Sequence, residues 1–106
     1  MIYELRTYVA APGKIDALNK RFVDHTLAIF ERVGIEAVAF FIDRDKPDHL
    51  IYLTRFQDEE HRQKAWATFG DDPEWLEVKR ESEVDGPFIV DREHVILEPT
   101  DYSPLR

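Results

Sequence analysis

The first strand-like segment of the chain carries an acidic and a basic side chain that could act together. Glu4 and Arg6 are two residues apart in residues 2–9, IYELRTYV. Because alternate residues of a strand share a face, their Cα atoms lie roughly 7 Å apart and the side chains stand next to each other. Burying an ion is costly unless it is paired or meets a ligand. The spacing therefore predicts that Arg6, held by Glu4, offers its guanidinium to an anionic or carbonyl oxygen. The alternative is a structural ion pair near the strand's edge.

His25 is the second residue that could do chemistry. It falls beside Leu18, at the border of the apolar stripe of a helix predicted over about 14–33. A histidine there would face the seam between helix and sheet, where it could accept a proton near neutral pH or ligate haem. The alternative is a satisfied core histidine. We predict Arg6 and His25 as the catalytic residues.

Metal chemistry has no support in the sequence. The four histidines show neither His-x-His nor His-x₃-His spacing, and the chain has no cysteine. We expect no metal site and no cofactor. In particular we expect no stoichiometric haem, since a formal charge of −8 disfavours an anionic cofactor.

Aromatic side chains are numerous for a domain of this size and could wall a flat apolar pocket between helices and sheet. The bland alternative is a bulky core. Tyr8 shares the strand face of Glu4 and Arg6. The predicted ligand-binding residues are Glu4, Tyr8, Phe22, Phe40, Trp66 and Trp75.

The elements that must position these residues follow from periodicity and turn signals. Strands are predicted at 2–9, 35–43, 49–56 and 88–97, and helices at about 14–33, from 59 to 70 and from 73 onward. The order β-α-β-β-α-β in about a hundred residues is the ferredoxin-like α+β arrangement, a four-stranded antiparallel sheet with helices on one face. We expect one domain over 1–98 and an extended tail over 99–106.

Strand patterning also predicts a second copy of the chain. Residues 35–43 and 49–56 are apolar on both faces, although the chain's own helices can cover only one. A wet apolar face of that size is unusual for a monomer, so a two-fold homodimer packed sheet to sheet is expected. The alternative is a monomer whose tail covers the open face.

Composition limits the partners. Fourteen basic residues against 22 acidic ones argue against nucleic acid, which needs a basic stripe, and against an anionic membrane surface. The longest apolar run, 37–42, is far too short to span a bilayer. The chain starts directly in its first strand and lacks cysteine, so we expect no targeting segment, no disulfides and a cytoplasmic location.

Several segments together resemble the NIPSNAP family. These are the opening MIYELRTYVAAPGK, the helix KRFVDHTLAIFERVGI, EEHRQKAW, the DDPEW that follows and the closing EHVILEP. The resemblance implies the dimeric α/β-barrel version of the ferredoxin-like fold. It brings no agreed catalytic residues, although the wider superfamily includes cofactor-free monooxygenases, haem-degrading enzymes and small isomerases.

Two functions of different kinds are compatible with the sequence. The first is a NIPSNAP-like small-molecule-binding domain, in its catalytic form a cofactor-independent oxygenase or isomerase acting on an apolar substrate with an anionic or carbonyl end. The second is a non-catalytic homodimeric interaction or scaffold domain in which Arg6 and His25 are structural. A cavity lined by both residues favours the first, and a filled interior favours the second.

Overall fold

The structure, a computed structural model, describes all 106 residues and contains the predicted order of elements. Residues 99–106 contain no helix or strand. The elements are β1 (Ile2–Ala10), α1 (Ile15–Arg21), a π-helical segment (Phe22–Thr26), α2 (Leu27–Val33), β2 (Glu36–Ile42), β3 (His49–Phe56), α3 (Glu59–Asp71), α4 (Pro73–Ser82) and β4 (Ile89–Leu97).

The long first helix is continuous but is not α-helical throughout. Its middle turn, Phe22–Thr26, is π-helical, and such a turn accommodates one extra residue and rotates the residues around it. Phe22 and Thr26 stay buried, whereas the three residues between them are exposed. The helix ends at Gly34, whose φ of 94° is the left-handed conformation that glycine adopts without strain.

The sheet places the chemistry-bearing strand at its centre. The strand order is β2-β3-β1-β4 and all neighbours are antiparallel. Arg6 lies opposite Tyr52 on one side and His94 on the other. This register puts Glu4, Arg6 and Tyr8 on the face that the helices cover, and the predicted four-stranded α+β fold is confirmed.

A bulge in β2 changes the predicted alternation of that strand. The register shifts between Ala37 and Ala39, so Ala37 pairs with Thr54 while Ala39 pairs with Leu53. Strict alternation would keep Ala37 and Ala39 on one face, but the register shift breaks that alternation. The extra residue places Ala37 on the helix-covered face and Ala39 on the opposite one.

The core lies on one side of the sheet only, between the sheet and the helices. Tyr52, Phe30 and Phe56 are the largest fully buried side chains. The molecule is 20 Å thick in its shortest dimension, which is one layer of helices on one sheet. The other side of the sheet, here called the open face, bears Leu5, Ala39, Phe41, Leu53 and Val95.

None of the helices has the length and apolar character needed to cross a membrane. The cytoplasmic location stays a prediction.

Candidate functional site

A cavity of about 370 Å³ lies between the sheet and the helices. That volume is within the roughly 300–1,000 Å³ of small-molecule sites. β1 contributes Arg6 and Tyr8, and the first helix contributes Arg21, Phe22 and Thr26. The helices α3 and α4 supply aromatic walls. These include Trp66, Phe69 and Trp75.

Arg6 lies on the cavity wall with part of its hydrogen-bonding capacity unused. Its Nη1 donates to Glu4 at 3.0 Å and its Nε donates to the Tyr8 hydroxyl at 3.2 Å, whereas Nη2 donates to no protein group. The guanidinium carbon is 4.2 Å from the Trp66 ring centre, a cation–π contact. Only 15% of the side chain is exposed. Arg6 is thus an oriented cation with a free edge.

The charge of Arg6 is permanent in this setting. Burial acts to lower the pKa of Arg6, but the neighbouring Tyr8, Tyr52 and Glu4 outweigh it and raise that pKa above its ordinary value. A guanidinium that cannot lose its proton can only donate hydrogen bonds. A ligand group that binds at the free edge of Arg6 must therefore be a hydrogen-bond acceptor, such as an oxygen with lone pairs.

Glu4 lies behind Arg6 and does not line the cavity. Its side chain is fully buried. One carboxylate oxygen accepts a 2.7 Å hydrogen bond from the Trp66 indole, and Arg62 approaches within 3.4 Å from the same helix. Thr54 donates its hydroxyl to the Glu4 backbone carbonyl. Glu4 therefore joins β1 to α3 and fixes the direction in which Arg6 points.

Tyr8 adds a second donor beside Arg6. The hydroxyl of Tyr52 is fully buried and its one hydrogen-bond partner is the Tyr8 oxygen, at 2.8 Å. Burial raises the pKa of Tyr52 well above its ordinary value, so this hydroxyl stays protonated and donates a hydrogen bond to the Tyr8 oxygen. Tyr8 then accepts from both Tyr52 and Arg6, which leaves its own O–H for another acceptor.

The corner between α3 and α4 holds the aromatic wall in place. The Asp72 carboxylate caps α4 by accepting from the Trp75 backbone N–H at 3.0 Å. Arg32 donates to both carboxylate oxygens, at 2.6 and 2.8 Å. These bonds tie α4 to α2, and Trp75 packs on Phe69 with ring centres 4.7 Å apart.

A larger depression elsewhere on the molecule offers no comparable chemistry. It measures about 540 Å³ and is lined by Gly34, Arg55 and His61, among others. The His61 Nδ1 accepts from the Gln57 backbone N–H, and its Nε2 donates to the Gly34 carbonyl. Arg55 is paired with Glu36. Both nitrogens of the His61 ring are engaged by the backbone, and Arg55 is neutralised by Glu36, although its buried Nε has no acceptor.

The cavity unites some of the predicted site residues and leaves others out. Arg6, Tyr8, Phe22, Trp66 and Trp75 line it. Phe40 does not, because it lies half-buried on β2, stacked on Tyr52 with ring centres 5.0 Å apart, and lines a separate depression with Val23. Glu4 acts through Arg6 from behind.

His25 is not where the sequence placed it. Its side chain is exposed, on a shallow groove with Lys20 and Glu81, and it lines no part of the cavity. The prediction that it faces the seam with the sheet is wrong, since the π-helical turn carries it toward solvent. Its catalytic role stays a prediction, and no contact joins it to Arg6.

Sequence reasoning missed Arg62 and Arg21. Arg62 is four residues before Trp66 on α3, so the shared helix face was a usable signal. Arg21 gave none, because it lies off the apolar stripe that contains Phe22, yet it is 95% buried. Its guanidinium contacts the faces of Trp75 and Phe88 and donates to Glu83 at 2.7 Å.

The fold and the cavity together define a ferredoxin-like α+β domain with a ligand-sized space between its sheet and helices. The NIPSNAP family model matches residues 3–104, so the chain belongs to the NIPSNAP family. This confirms the resemblance drawn from the sequence segments.

Solved structures support the same placement. The chain is similar to a NIPSNAP family protein with unknown function from Agrobacterium tumefaciens, with 30% identity, coverage of 100% of this chain and 94% of that one, and a TM-score of 0.85. A second NIPSNAP family protein from that organism has 26% identity, 99% and 98% coverage, and a TM-score of 0.86.

A more distant likeness concerns the fold alone. A candidate antibiotic biosynthesis monooxygenase from Nitrosomonas europaea has 13% identity, covers 93% of this chain and 98% of its own, and has a TM-score of 0.66. No curated protein matches the chain.

Proposed function

We propose that this NIPSNAP domain binds a small apolar molecule carrying a carboxylate, enolate or carbonyl oxygen, and that Arg6 and Tyr8 receive that oxygen. The observation that carries the proposal is the free edge of Arg6. Its Nη2 has no protein acceptor although the guanidinium is largely buried and oriented by Glu4 and Trp66. This nitrogen is not sealed from solvent, so it is open to the cavity, where a ligand oxygen can accept a charge-assisted hydrogen bond from it.

The aromatic walls suit the apolar part of such a molecule. Trp66, Phe69 and Trp75 present ring surface to the cavity, and they contact one another at ring-centre distances of 4.7–5.8 Å. Rings fixed in this way lose little entropy when a ligand is added against them.

The geometry supports binding more directly than catalysis. Two donors at one oxygen would stabilise an enolate, the charge that develops in an isomerase or cofactor-independent oxygenase reaction. Such a reaction also needs a proton acceptor. His25 lies outside the cavity, and Glu83, the one carboxylate among the lining residues, is held in an ion pair with Arg21.

A scaffold function makes a different demand on Arg6. In that case the Arg6–Glu4 contact serves stability alone. Substituting Arg6→Met separates the two functions, because methionine keeps the volume and removes the donors. Glu4 retains the Trp66 indole and Arg62 as partners. We therefore expect the fold to survive, with a loss of about 1.5–3 kcal/mol for the charged hydrogen bond to Glu4.

The test is octanoate binding followed by tryptophan fluorescence. Both tryptophans of the chain line the cavity and octanoate does not absorb where they do, so the signal reports on this site. We expect Arg6→Met to weaken binding by about 1.5–3 kcal/mol, the value of a charged hydrogen bond.

Arg62→Met is the matched control for this experiment. Arg62 also pairs with Glu4 and is comparably buried, at 17% exposure, but it does not line the cavity. The Arg62→Met protein should bind octanoate with the same affinity as the wild type. Equal binding by Arg6→Met and the wild type, or no binding by the wild type, would refute the proposal. A loss of stability without a loss of affinity would support the scaffold.

A further inference from the structure

The cavity is basic although the chain as a whole is acidic. Its lining includes Arg6, Arg21, Lys79 and Arg92 but a single carboxylate, that of Glu83. The formal charge of the whole chain is −8. A concentration of one sign of charge around a space with apolar walls produces a strong local potential and favours ligands of the opposite sign.

Two of these cations lack a compensating anion. Arg6 is paired with Glu4 and Arg21 with Glu83, whereas Lys79 and Arg92 form no ion pair with any side chain of the protein. Both are exposed, so they lie at the mouth of the cavity while Arg6 lies inside. The uncompensated charge therefore exceeds what a single carboxylate at Arg6 would neutralise.

Arg92 is close to Arg6 and Tyr8, the two residues proposed to bind the ligand oxygen and here called the Arg6–Tyr8 receptor. It is opposite Tyr8 in the β1–β4 pairing, and its guanidinium carbon is 5.7 Å from the Tyr8 ring centre. The guanidinium carbon of Arg6 is 5.4 Å from the centre of the same ring. Tyr8 is thus flanked by one buried and one exposed arginine, and a ligand lying along it can reach both.

Arg21 supplies an independent observation on the helix side. It is 95% buried, and Nη1 is the one guanidinium nitrogen that donates to a protein acceptor. Its Nε is fully buried and has no acceptor. A buried cation with unused donors gains from added negative charge nearby.

We propose that the natural ligand carries two anionic groups joined by an apolar spacer, as an apolar dicarboxylate does. This inference rests on the proposed function, because one anionic group occupies the Arg6–Tyr8 receptor. The second anionic group lies at the mouth of the cavity with Arg92 and Lys79. Its negative charge also stabilises the buried Arg21 cation. The aromatic walls contact the spacer.

The experiment compares octanedioate with octanoate, using tryptophan fluorescence. Octanedioate has a carboxylate where octanoate has its terminal methyl group, and so it has less apolar area to bury. A site that binds only one anionic group should therefore bind octanoate more tightly than octanedioate. The inference predicts the reverse, with octanedioate bound more tightly at low ionic strength, by up to about fivefold, the upper range for one exposed ion pair. Decanedioate against decanoate repeats the comparison with a longer spacer.

Charge variants assign the preference to the mouth. Arg92→Gln and Lys79→Gln should each reduce the diacid preference, because each removes a cation of the cavity mouth and weakens octanedioate binding by a larger factor than octanoate binding. Arg80→Gln is the control, because Arg80 is on α4 at the surface, paired with Glu77 and outside the cavity.

The outcomes separate this inference from the proposed function. Arg6-dependent binding of octanoate with no diacid preference, or a preference that survives in both Arg92→Gln and Lys79→Gln, overturns the inference and leaves the proposed function standing. Binding of neither acid by the wild type overturns both.

Discussion

Glu4 is the residue on which the orientation of the site depends. It is fully buried and is approached by two arginines and one indole N–H. We predict that Glu4→Gln lowers the free energy of unfolding by about 2–3 kcal/mol. This is at or below the lower end for breaking a buried pair, because Arg6 and Arg62 keep some contact with solvent. Urea denaturation measures it, and a change below about 0.5 kcal/mol would mean that Glu4 is not the anchor.

Some contacts of the site residues could be predicted from the sequence and others could not. Alternation along one strand was enough to pair Glu4 with Arg6, because both residues belong to the same element. The contact of Glu4 with Trp66 depends on how α3 crosses the sheet, which no local pattern specifies. Arg21 was missed for the same reason, since its burial comes from α4 and the segment after it.

At the scale of elements, the pairing of Asp72 with Arg32 should make α4 sensitive to acid. The Arg32 hydrogen bonds, followed by the Trp75 N–H, lower the pKa of Asp72 to about 2. The unfolded chain titrates this group at about 3.9. The stabilisation is therefore complete above about pH 4 and disappears as the pH falls through about 2.

Denaturation of the wild type and Arg32→Met across this range is the measurement. Arg32→Met should be less stable than the wild type at pH 6, and the difference should shrink between about pH 4 and about pH 2. Arg44→Met, an exposed cation in the turn between β2 and β3, is the control and should show no such change. A difference between Arg32→Met and the wild type that is independent of pH would contradict the role given to Asp72.

Element positions were largely predictable and element irregularities were not. The first strand was expected over 2–9 and is Ile2–Ala10, and the third was expected over 49–56 and is His49–Phe56. Both errors of placement come from a single extra residue. One is in the π-helical turn that exposes His25 and the other is in the bulge beside Ala39. Neither carries a glycine or proline that would have marked it.

For the molecule as a whole, the open face of the sheet is an apolar surface that no part of the chain's helix layer covers, and we expect a partner to cover it. The molecule is two layers thick and Phe41 on the open face is 60% exposed. We propose that a second copy covers this face, because a two-fold axis lets one apolar surface cover itself. The protein should then sediment at about twice 12.5 kDa at micromolar concentration.

Substitution of Ala39→Glu tests the location of that interface. The bulge places Ala39 on the open face, where an unpaired carboxylate would be buried between the sheets, so monomers or aggregates are expected. Ala28→Glu, on an exposed position of α2, is the control and should sediment like the wild type. A stable wild-type monomer would refute the homodimer, and an Ala39→Glu protein that stays dimeric would move the interface elsewhere.

A structure of the protein with bound octanoate would show whether Arg6 receives a ligand oxygen inside the cavity. We expect a carboxylate oxygen within hydrogen-bonding distance of the Arg6 Nη2 and the Tyr8 hydroxyl, with the alkyl chain against Trp66 and Phe69. Octanoate bound on the open face, or in the cavity with its carboxylate turned away from Arg6, would show that Arg6 is not the receiving residue.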